Sequence, residues 1–202
     1  MSVCAAPNDD QGPSKLRVAA RRLTLTCHPE TPSPAVRRVT VLVARAGGAL
    51  TASYVIKGDL SRLRMPPPRA PRIAERLWQH TCCEIFIALA GAPAYHEFNF
   101  SPSGEWTAYA FERYRESHLL ADELLDPAVT VRRSEDELTL IAVIRLGRLS
   151  SRHVTAKLSI ALSAVLEDDA GALSYWALRH PPGRPDFHHP DAFALKFNEV
   201  RD

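Results

Sequence analysis

The sequence predicts an all-β protein, an antiparallel sandwich of about ten short strands joined by long loops. Apolar and polar residues alternate with a period of two in several segments, and this is the period of a strand that buries one face. Turn residues separate these segments, and no stretch keeps a helical period. Two packed sheets are a common way to bury so many short strands. The clearest alternation covers residues 39–43, 50–56, 83–89 and 158–164.

The predicted strands begin after a polar leader. Residues 1–14 carry Gly, Pro and polar side chains and are predicted to be disordered, whereas residues 15–202 are predicted to form a single domain. Gly47 and Gly48 predict a two-residue hairpin turn, because both positions tolerate a positive φ. In chain order, the predicted strands are residues 23–26, 39–43, 50–56, 83–89, 95–101, 106–111, 129–133, 138–145, 158–164, 173–178 and 193–197.

Long connections interrupt the strand pattern. Residues 58–71 contain four prolines, and proline lacks the N–H that a central strand must donate. Residues 73–79 are predicted to form one or two helical turns, and residues 112–127 to form a loop with a short helix. Long connections in compact domains are often functional, so these segments are candidates for binding residues.

The composition is that of an ordinary globular protein and argues against several classes. The chain has 202 residues, of which 46% are hydrophobic and 24% charged, enough for a sizeable core. The net charge is +2 and the basic residues are scattered, so we expect no nucleic-acid partner. No run approaches the ~18 apolar residues of a membrane helix, and no secretory leader is evident. We therefore expect a cytoplasmic protein without a membrane partner.

The cysteines agree with a reducing compartment. Cys82 and Cys83 are adjacent in a predicted strand, so their side chains point to opposite faces and a disulfide between them is not expected. Adjacent cysteines are also not a zinc-binding spacing. We expect both to be small apolar residues.

Motifs for catalysis or nucleotide binding are absent from the sequence. It contains no nucleophile elbow, phosphate-binding loop, zinc-protease helix motif or dinucleotide fingerprint. Glu84 and Glu97 are a candidate acid pair, but sequence spacing does not fix their separation in space. We therefore expect a protein that is not an enzyme.

Three segments place polar and aromatic side chains where a simple sandwich would not need them. Glu84 lies in a strand of apolar residues, so it must be paired or line a cleft. In the next strand, Glu97 and Asn99 share one face, which is either solvated or lines a polar pocket. Residues 175–191 add Arg, His and Asp side chains in a proline-rich loop.

These residue types suit a saccharide or a similar polyol-rich ligand. Sugar rings stack their apolar faces on aromatic side chains and offer hydroxyls to planar polar groups. Alternatives remain for several of them: core packing for each tryptophan, turn capping for Asn99 and Asp186, and a structural ion pair between Arg179 and Glu84. The predicted ligand-binding residues are Trp78, Glu84, Asn99, Trp106, Arg179, His180, Asp186 and His188.

A haem- or metal-binding redox module is the second hypothesis. His180, His188 and His189 lie close in sequence to Asp186 and Asp191, and imidazole and carboxylate groups suit zinc, copper or iron. Two adjacent histidines that precede a proline are awkwardly placed to bind one ion together. We therefore predict no metal ligands and no resident cofactor.

Residues 78–87 and 95–109 resemble the core of the DOMON-like superfamily, which includes the family 9 carbohydrate-binding modules and haem- or sugar-binding DOMON domains. The similar features are a tryptophan, an acid-containing strand of the Glu-Ile-Phe-Ile kind, and an aromatic strand that runs into Asn-Phe-Ser-Pro-Ser-Gly-Glu-Trp. The closing segments resemble a bacterial cytoplasmic branch of this group. The resemblance implies a jelly-roll-like sandwich with a ligand site on one sheet and its adjoining loops.

The sequence departs from this family in its ion- and haem-binding positions. Family 9 modules usually carry an acidic residue shortly before the Glu-containing strand, where residues 79–82 read Gln-His-Thr-Cys here. Haem-binding members use a Met and a His as axial ligands, and Met65, the only internal methionine, lies in the proline-rich connection. These departures argue against a family-style ion site and against haem, and the expected partner remains the small-molecule or glycan ligand that the residue types suit.

Overall fold

The computed structural model describes residues 19–120 and 122–198, and the predicted leader at residues 1–14 lies outside them. Within this part of the chain the fold is all-β, as predicted, with twelve strands and one short α-helix. The strands are β1 (Ala19–Cys27), β2 (Val36–Ala46), β3 (Ala49–Gly58), β4 (Cys82–Leu89), β5 (Tyr95–Phe100), β6 (Trp106–Arg113), β7 (Glu116–Leu119), β8 (Ala128–Arg133), β9 (Glu137–Arg145), β10 (Leu158–Glu167), β11 (Leu173–Ala177) and β12 (Leu195–Phe197), and the helix is α1 (Ser151–Thr155).

The strands form two antiparallel sheets. The first sheet has the order β8-β9-β3-β2-β1, and the second has the order β7-β6-β5-β4-β10-β11, with β12 also paired to β10. Strand β1 belongs to both sheets, because Ala19–Leu25 pair with β2 whereas Thr26 and Cys27 pair with β11. This shared strand connects the two sheets along one edge of the sandwich.

The predicted glycine hairpin joins β2 to β3. Gly47 and Gly48 form the two-residue turn and have φ values of +56° and +74°. Residues with a side chain rarely adopt such values, and both central positions of this type of turn require them. The prediction from sequence is confirmed.

The main core lies between the inner faces of the two sheets. In β3, the alternate side chains of Leu50, Ala52, Tyr54 and Ile56 are fully buried, while their neighbours are more exposed. The Tyr54 hydroxyl donates a hydrogen bond of 2.6 Å to the backbone oxygen of Glu84, on the opposing sheet. The period-two pattern therefore identified the inward-facing residues correctly.

The second sheet is buried on its outer face as well. Residues 178–194, here called the covering segment, connect β11 to β12 and pack across this face. Every residue of β10 is buried as a result. The apolar residues of this outer cluster are Phe86, Ala88, Tyr95, Phe111, Ala161, Val165, Ala177, Phe187, Ala192 and Phe193.

The connections differ in part from the prediction. Residues 112–127 include the edge strand β7 (Glu116–Leu119), which is polar and mostly exposed, so no alternation marks it in the sequence. The helix predicted there is a three-residue 3-10 turn, Glu123–Leu125, and residues 73–79 form a 3-10 turn only at Leu77–Gln79. Other 3-10 turns in the described residues are Leu60–Arg62, Leu146–Arg148 and Pro190–Ala192.

The helices in the described part of the chain are all short. None of them has the length or the apolar character that crossing a lipid bilayer would require.

Candidate functional site

A cavity of about 600 Å³ lies between the outer face of the second sheet and the covering segment. Its volume falls within the ~300–1,000 Å³ typical of small-molecule sites. Five aromatic side chains line it: Trp78, Tyr109, Phe111, Tyr175 and Phe187. The other lining residues are Glu30, Thr31, Glu84, Glu97, Arg115, Ser117, Val165, Arg184, Pro185 and His188.

Two buried carboxyl groups face this cavity from neighbouring strands. Glu84 pairs in register with Asn99, and Phe86 pairs with Glu97, so the two glutamates are diagonal neighbours on the same face. Their residues are 3% and 5% exposed. The candidate acid pair therefore forms, and the polar face of β5 lines a pocket rather than meeting bulk water.

Each carboxyl group of this pair receives one hydrogen bond from a neutral side chain. Ser163 Oγ donates to Glu84 Oε2 at 3.2 Å, and Asn99 Nδ2 donates to Glu97 Oε1 at 2.6 Å. Asn99 is itself fully buried, and its Oδ1 lies 3.6 Å from the Cys82 thiol. Asn99 thus holds the Glu97 carboxyl group in position through this hydrogen bond. Within the described residues, no Lys or Arg forms a salt bridge with either carboxyl group.

Burial changes the protonation of both glutamates. Removal from water raises the pKa of Glu84 well above its usual range, and the nearby Glu97 charge raises it further. Burial likewise raises the pKa of Glu97 to about 7, although the hydrogen bond from Asn99 and the charge of Arg115 oppose this shift. The pair therefore retains at least one proton near neutral pH, and its titration belongs to both groups together.

His188 brings a neutral imidazole from the covering segment to the acid pair. Its ring packs edge-on against Phe86 at 5.1 Å, its Nδ1 lies 3.0 Å from Tyr95 Oη, and its Nε2 lies 3.7 Å from Glu97 Oε2. Burial, assisted by the charge of Arg115, lowers the pKa of His188 to about 4. The contact with Glu97 is therefore not an ion pair at neutral pH.

His188 is also connected to the turn after β6 through Tyr95. The Arg115 backbone N–H donates to Tyr95 Oη at 3.3 Å, and Tyr95 Oη lies within hydrogen-bonding distance of His188 Nδ1, at 3.0 Å. A neutral imidazole has one N–H donor and one acceptor nitrogen. His188 therefore presents either a donor or an acceptor at Nε2 beside Glu97, according to its tautomer.

Asp186 fixes the covering segment to the turn between β6 and β7. Its carboxylate accepts hydrogen bonds from Tyr114 Oη at 2.7 Å, Arg115 Nη2 at 2.9 Å and the His188 backbone N–H at 3.1 Å. Burial raises the pKa of Asp186, but these hydrogen bonds outweigh that effect and lower it overall. Asp186 is therefore an ionised positioning residue beside the cavity.

Trp78 lies at the rim of the cavity and is 46% exposed. It sits in the 3-10 turn Leu77–Gln79, immediately after Arg76, whose φ of +61° is in the left-handed region. A large aromatic side chain that is half exposed at a cavity mouth is available to stack on a ligand.

The structure does not bring Trp106 or Arg179 to the cavity. Trp106 pairs in register with Phe100, and both side chains pack in the core between the sheets. Because successive residues alternate in direction, Thr107 takes the outer-face position of β6 instead, where its hydroxyl donates to the Ala74 backbone oxygen at 2.8 Å. Arg179 is exposed outside the cavity lining, and the alternative of an ion pair between Arg179 and Glu84 does not form in the described residues.

His180 supports the start of the covering segment rather than lining the cavity. Its Nε2 lies 2.8 Å from the Thr26 backbone oxygen, and its ring packs edge-on against His28 at 4.9 Å. Of the predicted ligand-binding residues, Trp78, Glu84 and His188 line the cavity, while Asn99 and Asp186 contact its lining residues.

The residues considered for a metal or haem do not come together. The described part of the chain contains no group of three or more His, Cys, Asp or Glu side chains placed to hold a metal ion. Met65 lines a different cavity of about 430 Å³, together with Pro66 and Pro68.

Several lining residues were missed in the sequence because they depend on strand pairing. Glu97 pairs in register with Tyr109, so Tyr109 and Phe111 share its face across the sheet. Extending the polar face of β5 to the residues that pair with it on β6 would have identified Tyr109 and Phe111. Tyr175 and Arg115 had no such signal, because their places depend on β11 joining the sheet and on the turn after β6.

Comparison with solved structures shows which known β-sandwiches this fold resembles. No family model and no curated protein matches the chain. A candidate carbohydrate-binding protein from Bacteroides uniformis is similar in structure, with a TM-score of 0.61, 15% sequence identity, and coverage of 87% of this chain and 84% of that one. A family 9 carbohydrate-binding module from Caldicellulosiruptor kristjanssonii in complex with glucose has a TM-score of 0.51 and 11% identity, covering 88% and 87% of the two chains. These likenesses show a shared β-sandwich fold.

Proposed function

We propose that this protein is a non-catalytic domain that binds a saccharide in the cavity on the outer face of the second sheet. The observation that carries the proposal is the cavity lining, in which aromatic rings surround buried carboxyl groups. Aromatic faces stack on the C–H faces of a sugar ring, and carboxyl oxygens bond its hydroxyls. The cavity thus combines the two kinds of contact that a saccharide requires.

The fold likeness supports the same proposal. The similar protein from Bacteroides uniformis is described as a candidate carbohydrate-binding protein, and the similar family 9 module was solved with glucose. Because a fold alone does not determine function, the cavity lining carries more of the argument than the likeness does. We also propose, from the strand motif around Glu84, that the chain belongs to the DOMON-like group.

We assign the binding roles by position in the cavity. Trp78 and Tyr175 are the proposed stacking side chains, and Glu84, Glu97 and His188 are the proposed hydrogen-bonding groups. Asn99 and Asp186 are proposed to position Glu97 and the covering segment. Trp106, Arg179 and His180 have no part in this proposal.

The experiment is a glycan array screen with the full chain, followed by titration of the best glycan. We expect Tyr175→Ala to weaken binding about fivefold, because a stacked ring contributes on the order of 1 kcal/mol. Leu42→Ala, an exposed apolar side chain on the first sheet, is the matched control and should leave affinity unchanged. Saturable binding that Tyr175→Ala does not weaken would contradict the assignment of the cavity as the binding site. Absence of binding to any glycan would contradict the proposed saccharide function.

We further propose a reducing cellular location and binding without haem or metal. Cys27, Cys82 and Cys83 are free thiols in the structure, which suits a reducing compartment. A Soret band or stoichiometric metal in the purified protein would contradict the cofactor part of this proposal.

A further inference from the structure

Acidic side chains outnumber basic ones in the lining of the cavity. Three glutamates line it, against two arginines. Of those arginines, Arg115 is already paired with Asp186 at 2.9 Å, outside the lining. Arg184 and Glu30 are exposed, so water screens their charges. The deepest ionisable groups are therefore Glu84 and Glu97, and no Lys or Arg of the described residues forms a salt bridge with them.

The acid pair also has unused hydrogen-bonding capacity on the cavity side. Among the described residues, Ser163 is the only side chain that hydrogen-bonds the Glu84 carboxyl group, through Oε2. Among the described residues Glu97 Oε2 accepts no hydrogen bond, and His188 Nε2 lies 3.7 Å from it. Both residues are more than nine-tenths buried and line the cavity. Their free oxygens are thus available to a ligand that donates hydrogen bonds.

Aromatic walls favour the same kind of ligand group. Rings attract a cation placed over their faces, and five aromatic side chains line this cavity. A positive charge that entered it would meet the carboxyl groups of Glu84 and Glu97 and the surrounding aromatic side chains. A ligand hydroxyl or acetamide would gain hydrogen bonds there without the added attraction between opposite charges.

We propose that the cavity prefers a saccharide with a free, protonated amino group, and that this ammonium group binds between the carboxyl groups of Glu84 and Glu97. The inference rests on the proposed saccharide-binding function and specifies its ligand class. An ammonium group has three donors, enough to reach both carboxyl groups at once. A charge-assisted hydrogen bond is about twice as strong as a neutral one.

Binding of an ammonium group should depend on pH, because it requires an ionised carboxylate. Burial raises the pKa of Glu97 to about 7, so protons compete with the ligand below that pH. We expect affinity for the amino sugar to fall by up to about tenfold per pH unit as the pH drops below 7. The titratable and charged groups that face the pair are Cys82 on β4, Tyr109 on β6, Arg115 in the following turn, Tyr175 on β11, Arg184, Asp186 and His188 on the covering segment, and Glu30 before β2.

The test compares sugars that differ only at one ring substituent. Glucosamine, glucose and N-acetylglucosamine, and the corresponding galacto and manno series, are titrated into the full chain and followed by NMR. We expect the amino sugar of at least one series to bind about tenfold more tightly than its two partners at pH 7. Affinities within threefold of one another in every series that binds would overturn the amine preference and leave the saccharide function intact.

Substitutions in the acid pair test whether the preference for an amino group depends on Glu84 and Glu97. In Glu97→Gln, the amide oxygen still accepts the hydrogen bond from Asn99, so we expect a folded protein whose amine preference falls below threefold. Glu137→Gln, the same change on the first sheet, should retain the full preference. A preference that survives both Glu97→Gln and Glu84→Gln would overturn the assignment. Binding of cyclohexylammonium as tight as that of the amino sugars would instead overturn the saccharide function.

Discussion

The outer faces of the two sheets have similar strand patterns and opposite environments. On the first sheet, Thr40, Ser53 and Thr139 alternate with core residues and are partly exposed. On the second sheet, Asn99 and Thr107 occupy equivalent positions but are fully buried, and Thr107 donates a hydrogen bond to the Ala74 backbone oxygen in the connection before β4. A polar residue in a strand therefore indicates a ligand-binding site only where another segment of the chain covers that face of the sheet.

This difference has an energetic consequence. Polar groups on the first sheet keep their hydrogen bonds to water, so they reduce the free energy of unfolding only slightly. Polar groups on the second sheet lose water and must find partners in the protein or in a ligand. Asn99 and Thr107 find protein partners, whereas Glu84 and Glu97 retain oxygens that face the cavity. The carboxyl oxygens that remain available to a ligand therefore lie on the covered face of the second sheet.

The largest expected effect is the loss of Phe86, at the centre of the covered face. Its fully buried ring packs against His188 and Phe193 of the covering segment. We expect Phe86→Ala to lower the free energy of unfolding by about 3–5 kcal/mol, because it removes buried apolar area and leaves a void. Equilibrium unfolding in urea measures this loss as a lower midpoint.

Leu42→Ala is the matched control for the comparison of faces. Leu42 is 39% exposed on the outer face of the first sheet, so its truncation should cost less than about 1 kcal/mol. Equal losses in Phe86→Ala and Leu42→Ala would show that the covering segment does not stabilise the second sheet.

The second prediction concerns the pH dependence of stability. Burial raises the pKa of Glu97 from 4.5 to about 7, so the folded state binds this proton more tightly than the unfolded state does. The stability that results is fully present below pH 4.5 and is lost as the pH rises through about 7. We expect the free energy of unfolding of Glu97→Gln, relative to that of the wild type, to increase by about 1–3 kcal/mol as the pH rises between these limits.

Urea unfolding at a series of pH values measures this gain. Glu137→Gln, on the first sheet, should follow the wild-type profile, because Glu137 is partly exposed and pairs with Lys57 at the surface. Parallel wild-type and Glu97→Gln profiles would mean that Glu97 does not retain its proton in the folded state.

The third prediction concerns the attachment of the covering segment. Asp186→Ala removes the acceptor for Tyr114, Arg115 and the His188 backbone. We expect faster hydrogen exchange in residues 178–194 and about three- to tenfold weaker ligand binding, with little change in the first sheet. Mass spectrometry of the exchanged peptides measures the first effect.

The control for this attachment lies in the same segment. Asp191 is exposed and contacts only its neighbour His189 among the described residues, so Asp191→Ala should leave exchange and affinity unchanged. Uniformly faster exchange in both sheets of Asp186→Ala would indicate global destabilisation and contradict a local role for Asp186.

The sequence predicts the sheets better than it predicts the site, and the reason is physical. Alternation marks a strand such as β3 because one of its faces is buried and the other is not. The same alternation places Glu97 and Asn99 on one face, but it cannot show that residues 178–194 cover that face. Trp106 was assigned to the site by residue type, although its position, one residue from Thr107, places it in the core.

The smallest expected effect belongs to the ion pair where β3 ends and β9 begins. Lys57 Nζ lies 2.9 Å from Glu137 Oε2, and the two side chains are 51% and 37% exposed. Water screens such a pair, and ordering two long side chains offsets most of its attraction. A double-mutant cycle of Lys57→Ala and Glu137→Ala should give a coupling energy below about 0.5 kcal/mol that decreases with added salt. A coupling above about 1 kcal/mol would mean that the uncovered face also holds stabilising electrostatic interactions, and the contrast between the two faces would then lie in their ligand-binding groups alone.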